Sequence, residues 1–165
     1  MAEGRSPRLG YGAGMSAASP PATTPTAIAA SLATRLHHVA LIASDYARSK
    51  DFYTRVLGLR VVHEFWRAER QSWKLDLALP DGSQLELFSF PGSPPRLSRP
   101  EACGLRHLAL VVDDIDAARA RLLAEGVDSL EPVRIDEFTA ARFCFFADPD
   151  GLPIELVEPA PAPAG

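Results

Sequence analysis

The sequence predicts an α+β fold in which two tandem βαβββ modules build a curved mixed sheet. Three observations carry that prediction. Leu36–Gly58, LHHVALIASDYARSKDFYTRVLG, returns 69 residues further on as Leu105–Val127, LRHLALVVDDIDAARARLLAEGV. The same offset relates Pro80–Phe88, PDGSQLELF, to Pro149–Val157, PDGLPIELV. Around these repeats, each half shows the same succession of apolar patterns: one strand, one helix, three strands.

The elements follow in order. Leu36–Ala43 is rich in apolar and β-branched residues and reads as a strand. Asp45 can cap a helix in which Tyr46, Phe52, Tyr53, Val56 and Leu57 recur near helical spacing, and Gly58 ends it. Strand patterns come next at Leu59–Phe65, Trp73–Leu79 and Gln84–Phe90, with Asp81-Gly82 as a hairpin turn between the last two. Pro91, Pro94, Pro95 and Pro100 mark Pro91–Cys103 as a connection between halves. In the second half Leu105–Val112 is the strand. Asp113 or Asp114 is the cap, Ile115, Ala118, Leu122 and Leu123 form the apolar stripe, and Gly126 is the stop. Strands at Pro132–Ile135, Ala141–Phe146 and Leu152–Val157 complete it, with Asp150-Gly151 in the last turn. Each half is too small to bury a sufficient core by itself, so the two are expected to share one.

The predicted organisation is a disordered Ala/Pro-rich extension over 1–34, module one over 35–90, a linker over 91–103, module two over 104–158, and a flexible tail over 159–165. The extension holds little bulky apolar content, so burial could not offset the entropy of ordering it. No compact apolar stretch follows Arg5 and Arg8, as a secretory leader would require.

Composition narrows the function classes. A net charge of −4 argues against a nucleic-acid surface. No apolar run approaches the roughly 18 residues of a membrane span. Cys103 and Cys144 lack metal-ligand spacing and read as free thiols of a reducing compartment, which points to the cytoplasm.

Strand alternation singles out four residues. Val39 and Leu41 face opposite to His38, and Leu108 and Leu110 opposite to His107. Leu85 and Leu87 flank Glu86, just as Ile154 and Leu156 flank Glu155. Large aliphatic residues suit a face covered by a helix, which leaves His38, Glu86, His107 and Glu155 on the other, concave face. Two imidazoles and two carboxylates suit one divalent ion, Ni²⁺ or Zn²⁺ first, with Mn²⁺, Fe²⁺ or Co²⁺ accepted by the same ligands. The two carboxylate charges balance the ion's, which removes most of the cost of burying them. His37, next to His38, should point to the opposite face, and His63 has Pro132 as its counterpart in the second half. Trp66, Arg67, Arg70, Trp73 and Lys74 could hold a substrate anion beside an aromatic wall, or could be an exposed strand-turn-strand. Arg96, Arg99 and Arg106 raise the same question, with Arg106 expected to point away from its neighbour His107.

At these residues the chain resembles the vicinal oxygen chelate superfamily, which holds glyoxalases, bleomycin-resistance proteins and extradiol dioxygenases. The resemblance spans Leu36–Glu158. DFYTRVLGL, GLRHLALVVDDID and DPDGLPIEL are most similar to the glyoxalase I (lactoylglutathione lyase) branch. FSFPGSPPRLSRPEACGLRH departs from that branch and looks like a glyoxalase-like bacterial subgroup that shares SWKxDLAL and RPEACGLRH. The resemblance implies the metal ligands His38, Glu86, His107 and Glu155 and a homodimer, in some members with the site built across chains. It also implies isomerisation of the hemithioacetal of methylglyoxal and glutathione, or a related thiol, to S-lactoylglutathione through a metal-bound enediolate. By family position Glu155 would be the catalytic base and Glu86 its symmetric partner. The alternatives are a thioester epimerase, a dioxygenase and a non-catalytic binder of small molecules.

Overall fold

A computed structural model describes residues 31–162. Most of the expected N-terminal extension and the end of the expected tail lie outside the described residues. Chain contacts divide at Thr34 and Arg35, and the strands and helices all belong to the second unit.

Both modules are βαβββ. In module one β1 (His38–Ala43) leads to α1 (Tyr46–Asp51), then β2 (Arg60–Arg67), β3 (Ser72–Ala78) and β4 (Gln84–Ser89). Module two runs β5 (Leu108–Val111), α2 (Ile115–Ala124), β6 (Arg134–Ile135), β7 (Arg142–Ala147) and β8 (Pro153–Glu158). The strands form two four-stranded mixed sheets, ordered β1-β4-β3-β2 and β5-β8-β7-β6. In each, the first strand pairs in parallel with the last and the other pairings are antiparallel.

The helix starts follow from capping. The Asp45 carboxylate accepts from the Arg48 amide at 3.0 Å, and that of Asp114 accepts from the amides of Asp116 and Ala117 at 2.9 and 3.0 Å. The first helix changes pitch midway. After Asp51 it widens over Phe52–Val56, where the Leu57 amide reaches back five residues to the Phe52 carbonyl at 3.0 Å. Gly58 then turns with φ +77°, and a Cβ there would lie 3.0 Å from Arg121 Nη2, so both conformation and space select glycine. Strand ends differ from the sequence reading by up to three residues. Leu105, Arg106 and His107 precede β5, and β6 is only two residues long because Pro132 has no amide to donate to a ladder.

One hydrophobic cluster serves both modules. Phe52, Tyr53 and Val56 from the first helical segment join Leu75, Leu77, Leu85 and Leu87 of module one with Ile115, Phe146, Ile154 and Leu156 of module two. Each such side chain contributes about 1.5–3 kcal/mol on burial. Polar contacts pin the same boundary. Tyr53, fully buried, donates its hydroxyl to Asp148 Oδ2 at 2.8 Å, and the Ser44 amide donates to Asp150 Oδ2 at 3.1 Å. Burial and the neighbouring carboxylates push the Tyr53 phenol far above its ordinary value, so it remains a donor. The opposite faces of both sheets point away from this core.

Candidate functional site

Those outer faces carry the four residues singled out by alternation. Glu86 lies between Leu85 and Leu87, 3% and 2% exposed, and Glu155 between Ile154 and Leu156, 0% and 4% exposed. Their carboxylates therefore emerge on the face opposite the core. Register sets their neighbours: Glu86 is level with Ala40 of β1, Asp76 of β3 and, beyond it, His63 of β2. Glu155 is level with Ala109 of β5 and Phe145 of β7.

Each module brings its own His and Glu together. His107 Nε2 lies 3.0 Å from Glu155 Oε2, and His38 Nε2 lies 3.7 Å from Glu86 Oε2. Two ligand atoms each about 2.0–2.2 Å from one ion are themselves roughly 3–3.5 Å apart, so the His107/Glu155 pair fits one edge of a coordination shell and the His38/Glu86 pair stands slightly wider than one. Of the two rings, that of His38 has the second partner usual for a ligating imidazole. His38 Nδ1 is occupied by His37 Nδ1 at 2.8 Å, which leaves Nε2 facing the carboxylate. In His107 the buried Nδ1 has no hydrogen-bond partner, and the ring edge meets Phe145 at a centroid distance of 5.3 Å. The two pairs do not converge on each other: among the described residues no three His, Cys, Asp or Glu side chains group so as to hold an ion. Within one chain the four donors form two separate halves.

The halves have different surroundings. In module one Lys74 Nζ donates to Glu86 Oε1 at 3.0 Å and also contacts Asp76, while His63 Nδ1 lies 3.5 Å from Asp76 Oδ2. Burial disfavours the Lys74 charge, but hydrogen bonds and attraction from Asp76 and Glu86 outweigh it and hold the ammonium above its ordinary range. In module two Glu155 has no lysine or arginine partner among the described residues; Phe145 is level with it, and Arg134 lies over the Phe143 and Phe145 rings.

Other candidates divide. His37 touches His38 instead of pointing away, because it precedes the strand and escapes its alternation. Arg106, for the same reason, lines a cavity together with His107. Arg96 and Arg99 line it too. Trp73 stacks on Tyr46 with centroids 5.0 Å apart and Trp66 tilts against Trp73 at 5.3 Å, while Arg67 lies over the Phe88 ring at 4.8 Å, so this group is largely packed against itself. Asp76, buried to 8% exposure, was not among the sequence candidates. The signal for it was its place on β3, an even number of residues from Lys74.

Paired βαβββ modules with one His/Glu pair on the outer face of each define a duplicated two-module fold. The chain belongs to the Glyoxalase/Bleomycin resistance protein/Dioxygenase superfamily, whose pattern it matches over residues 35–156. It is 57% identical over 124 residues to the uncharacterized protein YaeR of Escherichia coli K12, covering 75% of this chain and 95% of that one. It is 34% identical over 152 residues to a 2-epi-5-epi-valiolone epimerase of Actinomyces, covering 79% and 83%. The lactoylglutathione lyase of Escherichia coli O157:H7 is 29% identical over 136 residues, covering 79% and 97%. Among solved structures, a glyoxalase family protein from Enterococcus faecalis superposes with a TM-score of 0.70 at 47% identity, covering 75% and 97%. Among the described residues no helix is long and apolar enough to cross a membrane.

Proposed function

We propose that this chain is a divalent-metal-dependent isomerase of the glyoxalase I type. It would convert the hemithioacetal of methylglyoxal and glutathione, or a related thiol, to S-lactoylglutathione in the cytoplasm. The observation that carries the reading is the His/Glu pair in equivalent positions of two modules, 3.0 Å apart in one and 3.7 Å in the other. Because the halves stay apart within one chain, the working unit is a homodimer. His38 and Glu86 of one chain would meet His107 and Glu155 of the other.

A divalent ion, when bound, supplies a Lewis acid that polarises adjacent oxygens of a substrate. His38 and His107 would hold it, Nickel or zinc being the first candidates by ligand type. Glu155 is the better placed of the two carboxylates to move a proton. Glu86 is tethered by Lys74, whereas Glu155 faces only His107 and can turn toward substrate. Its oxygen would take the proton from the thiol-bearing carbon and return it to the adjacent carbon, so that base becomes acid within one turnover. Phe143 and Phe145 would keep water from that carboxylate.

The test is to strip the protein with chelator, reload it with Ni²⁺, Zn²⁺, Mn²⁺ or Fe²⁺, and assay the hemithioacetal while measuring bound metal. Glu86→Gln and Glu155→Gln chains, each inactive at limiting metal, are then mixed at that metal concentration. In a site shared across chains, half of the random dimers are mixed and each has one intact site, so about a quarter of wild-type activity returns. No recovery on mixing would remove the shared site, and metal binding without turnover would remove the substrate. A second reading, an epimerase using the same proton transfer, is favoured by the likeness to the 2-epi-5-epi-valiolone epimerase. Turnover of a cyclic polyol ketone in place of the hemithioacetal would select it.

A further inference from the structure

The linker between modules forms one wall of a cavity of about 370 Å³ that opens beside His107 and Phe145. Such a volume suits a small organic ligand. Four guanidinium groups line it: Arg96, Arg99, Arg106 and Arg134. Two are balanced, since Arg106 pairs with Glu101 at 2.9 Å and Arg134 with Glu131 at 2.9 Å. The other two are not. Arg96 donates from Nη2 to the carbonyls of Leu105 and Arg106 at 2.6 and 3.1 Å and from Nε to Ser98 at 3.1 Å, all neutral acceptors. Arg99 has no ion pair or side-chain hydrogen bond among the described residues. The wall thus carries an excess of two positive charges facing the same space as a metal-ligand candidate.

The linker is built to keep that charge in place. Pro94, Pro95 and Pro100 fix backbone angles on either side of Arg96 and Arg99 and lower the entropy lost on ordering. The Arg96 bonds tie the linker to the two residues that precede His107. A guanidinium presents parallel donors that match two oxygens of a carboxylate or phosphate.

We propose that this cavity is an oxyanion subsite, in which Arg99 and Arg96 take a carboxylate or phosphate group on a substrate whose reacting end lies at His107 and Glu155. The subsite rests on the proposed function for the position of the reacting end. Arg99 and Arg96 are then specificity-determining residues, and neutral substrates of equal size are discriminated against.

The experiment uses the full chain, metal-free and without methylglyoxal. Inorganic phosphate and succinate are titrated separately while backbone amide resonances are followed. Saturable shifts at Arg96, Arg99 and Arg106 are expected, with affinity at least fivefold weaker in Arg99→Gln and amides of β2 and β3, which do not line the cavity, unmoved. Arg99 makes no hydrogen bond that the fold needs, so this variant stays folded even where Arg96→Gln does not. A response to phosphate alone assigns a phosphorylated ligand, and a response to succinate assigns a carboxylate. Absence of saturable shifts with both anions, or equal affinity in Arg99→Gln, overturns the subsite. A failed hemithioacetal assay leaves this result standing, and a working one without anion binding removes the subsite alone.

Discussion

The two modules share a scaffold and a donor pair but differ in what stands next to that pair. At the offset of 69 residues, Lys74 of module one corresponds to Phe143 of module two, and Asp76 to Phe145. One His/Glu pair therefore sits in a charged row and the other against aromatic rings. Backbone pairing is retained because ladder bonds are indifferent to the side chains they carry. The outer face, free of the core's packing demands, could change role. A duplicated fold can thus surround one carboxylate with charged partners and leave its counterpart with its histidine alone.

If that difference has chemical meaning, the paired glutamates will not be interchangeable. Glu155→Gln should lower kcat by about 10²–10⁴-fold, the usual worth of a positioned acid–base group, while some metal is retained. Glu86→Gln should act chiefly through lost metal, seen as restored turnover at higher metal concentration. Equal kinetic profiles for the two would erase the distinction. His38→Ala and His107→Ala should each lose metal and activity together, by metal analysis of the purified protein.

The charged row offers a weaker lever. Lys74→Met leaves the Asp76 carboxylate with only His63 nearby, at 3.5 Å, and should destabilise the fold by about 1–3 kcal/mol in urea unfolding. In the aromatic half, Phe145→Ala, at the position that matches Asp76, removes the ring against His107. Metal affinity should then fall by about 2–10-fold in competition with a chromophoric chelator.

Acid sensitivity should belong to module one as well. Glu64 accepts from Lys50 Nζ at 2.7 Å and from the Tyr46 hydroxyl at 2.6 Å, and these hold its carboxyl below the ordinary value of 4.5. The corresponding positions of module two are Val133, Arg119 and Ile115, which cannot repeat the network. A depressed carboxyl stabilises the fold above about pH 4.5, and that stabilisation fades as pH falls through the lowered value. Wild type should exceed Glu64→Gln by under about 1 kcal/mol at pH 7, and the gap should close in acid. A gap that does not narrow as pH falls below 4.5 would detach the effect from Glu64.

Local rules account for what was legible beforehand. Alternation placed Glu86 and Glu155 opposite their buried leucine and isoleucine neighbours, and capping chemistry located both helix starts. What escaped depends on pairing between distant strands. Lys74 reaches Glu86 only because β3 and β4 align Asp76 with Glu86. Arg106 and His37 were misdirected because alternation was extended past the true strand ends. Which faces of the two sheets meet was also invisible locally: Tyr53 and Asp148 find each other through tertiary packing alone.

That last contact has a bearing on how the chain is made. Tyr53 and Asp148 are 95 residues apart, so at about 5–20 residues per second a ribosome would take roughly 5 to 20 seconds to supply the acceptor. Over that interval Phe52, Tyr53 and Val56 lack the Phe146 and Ile154 that later cover them. The nascent first half emerges with a greasy, half-finished surface, and its safest escort is the second half of the same polypeptide.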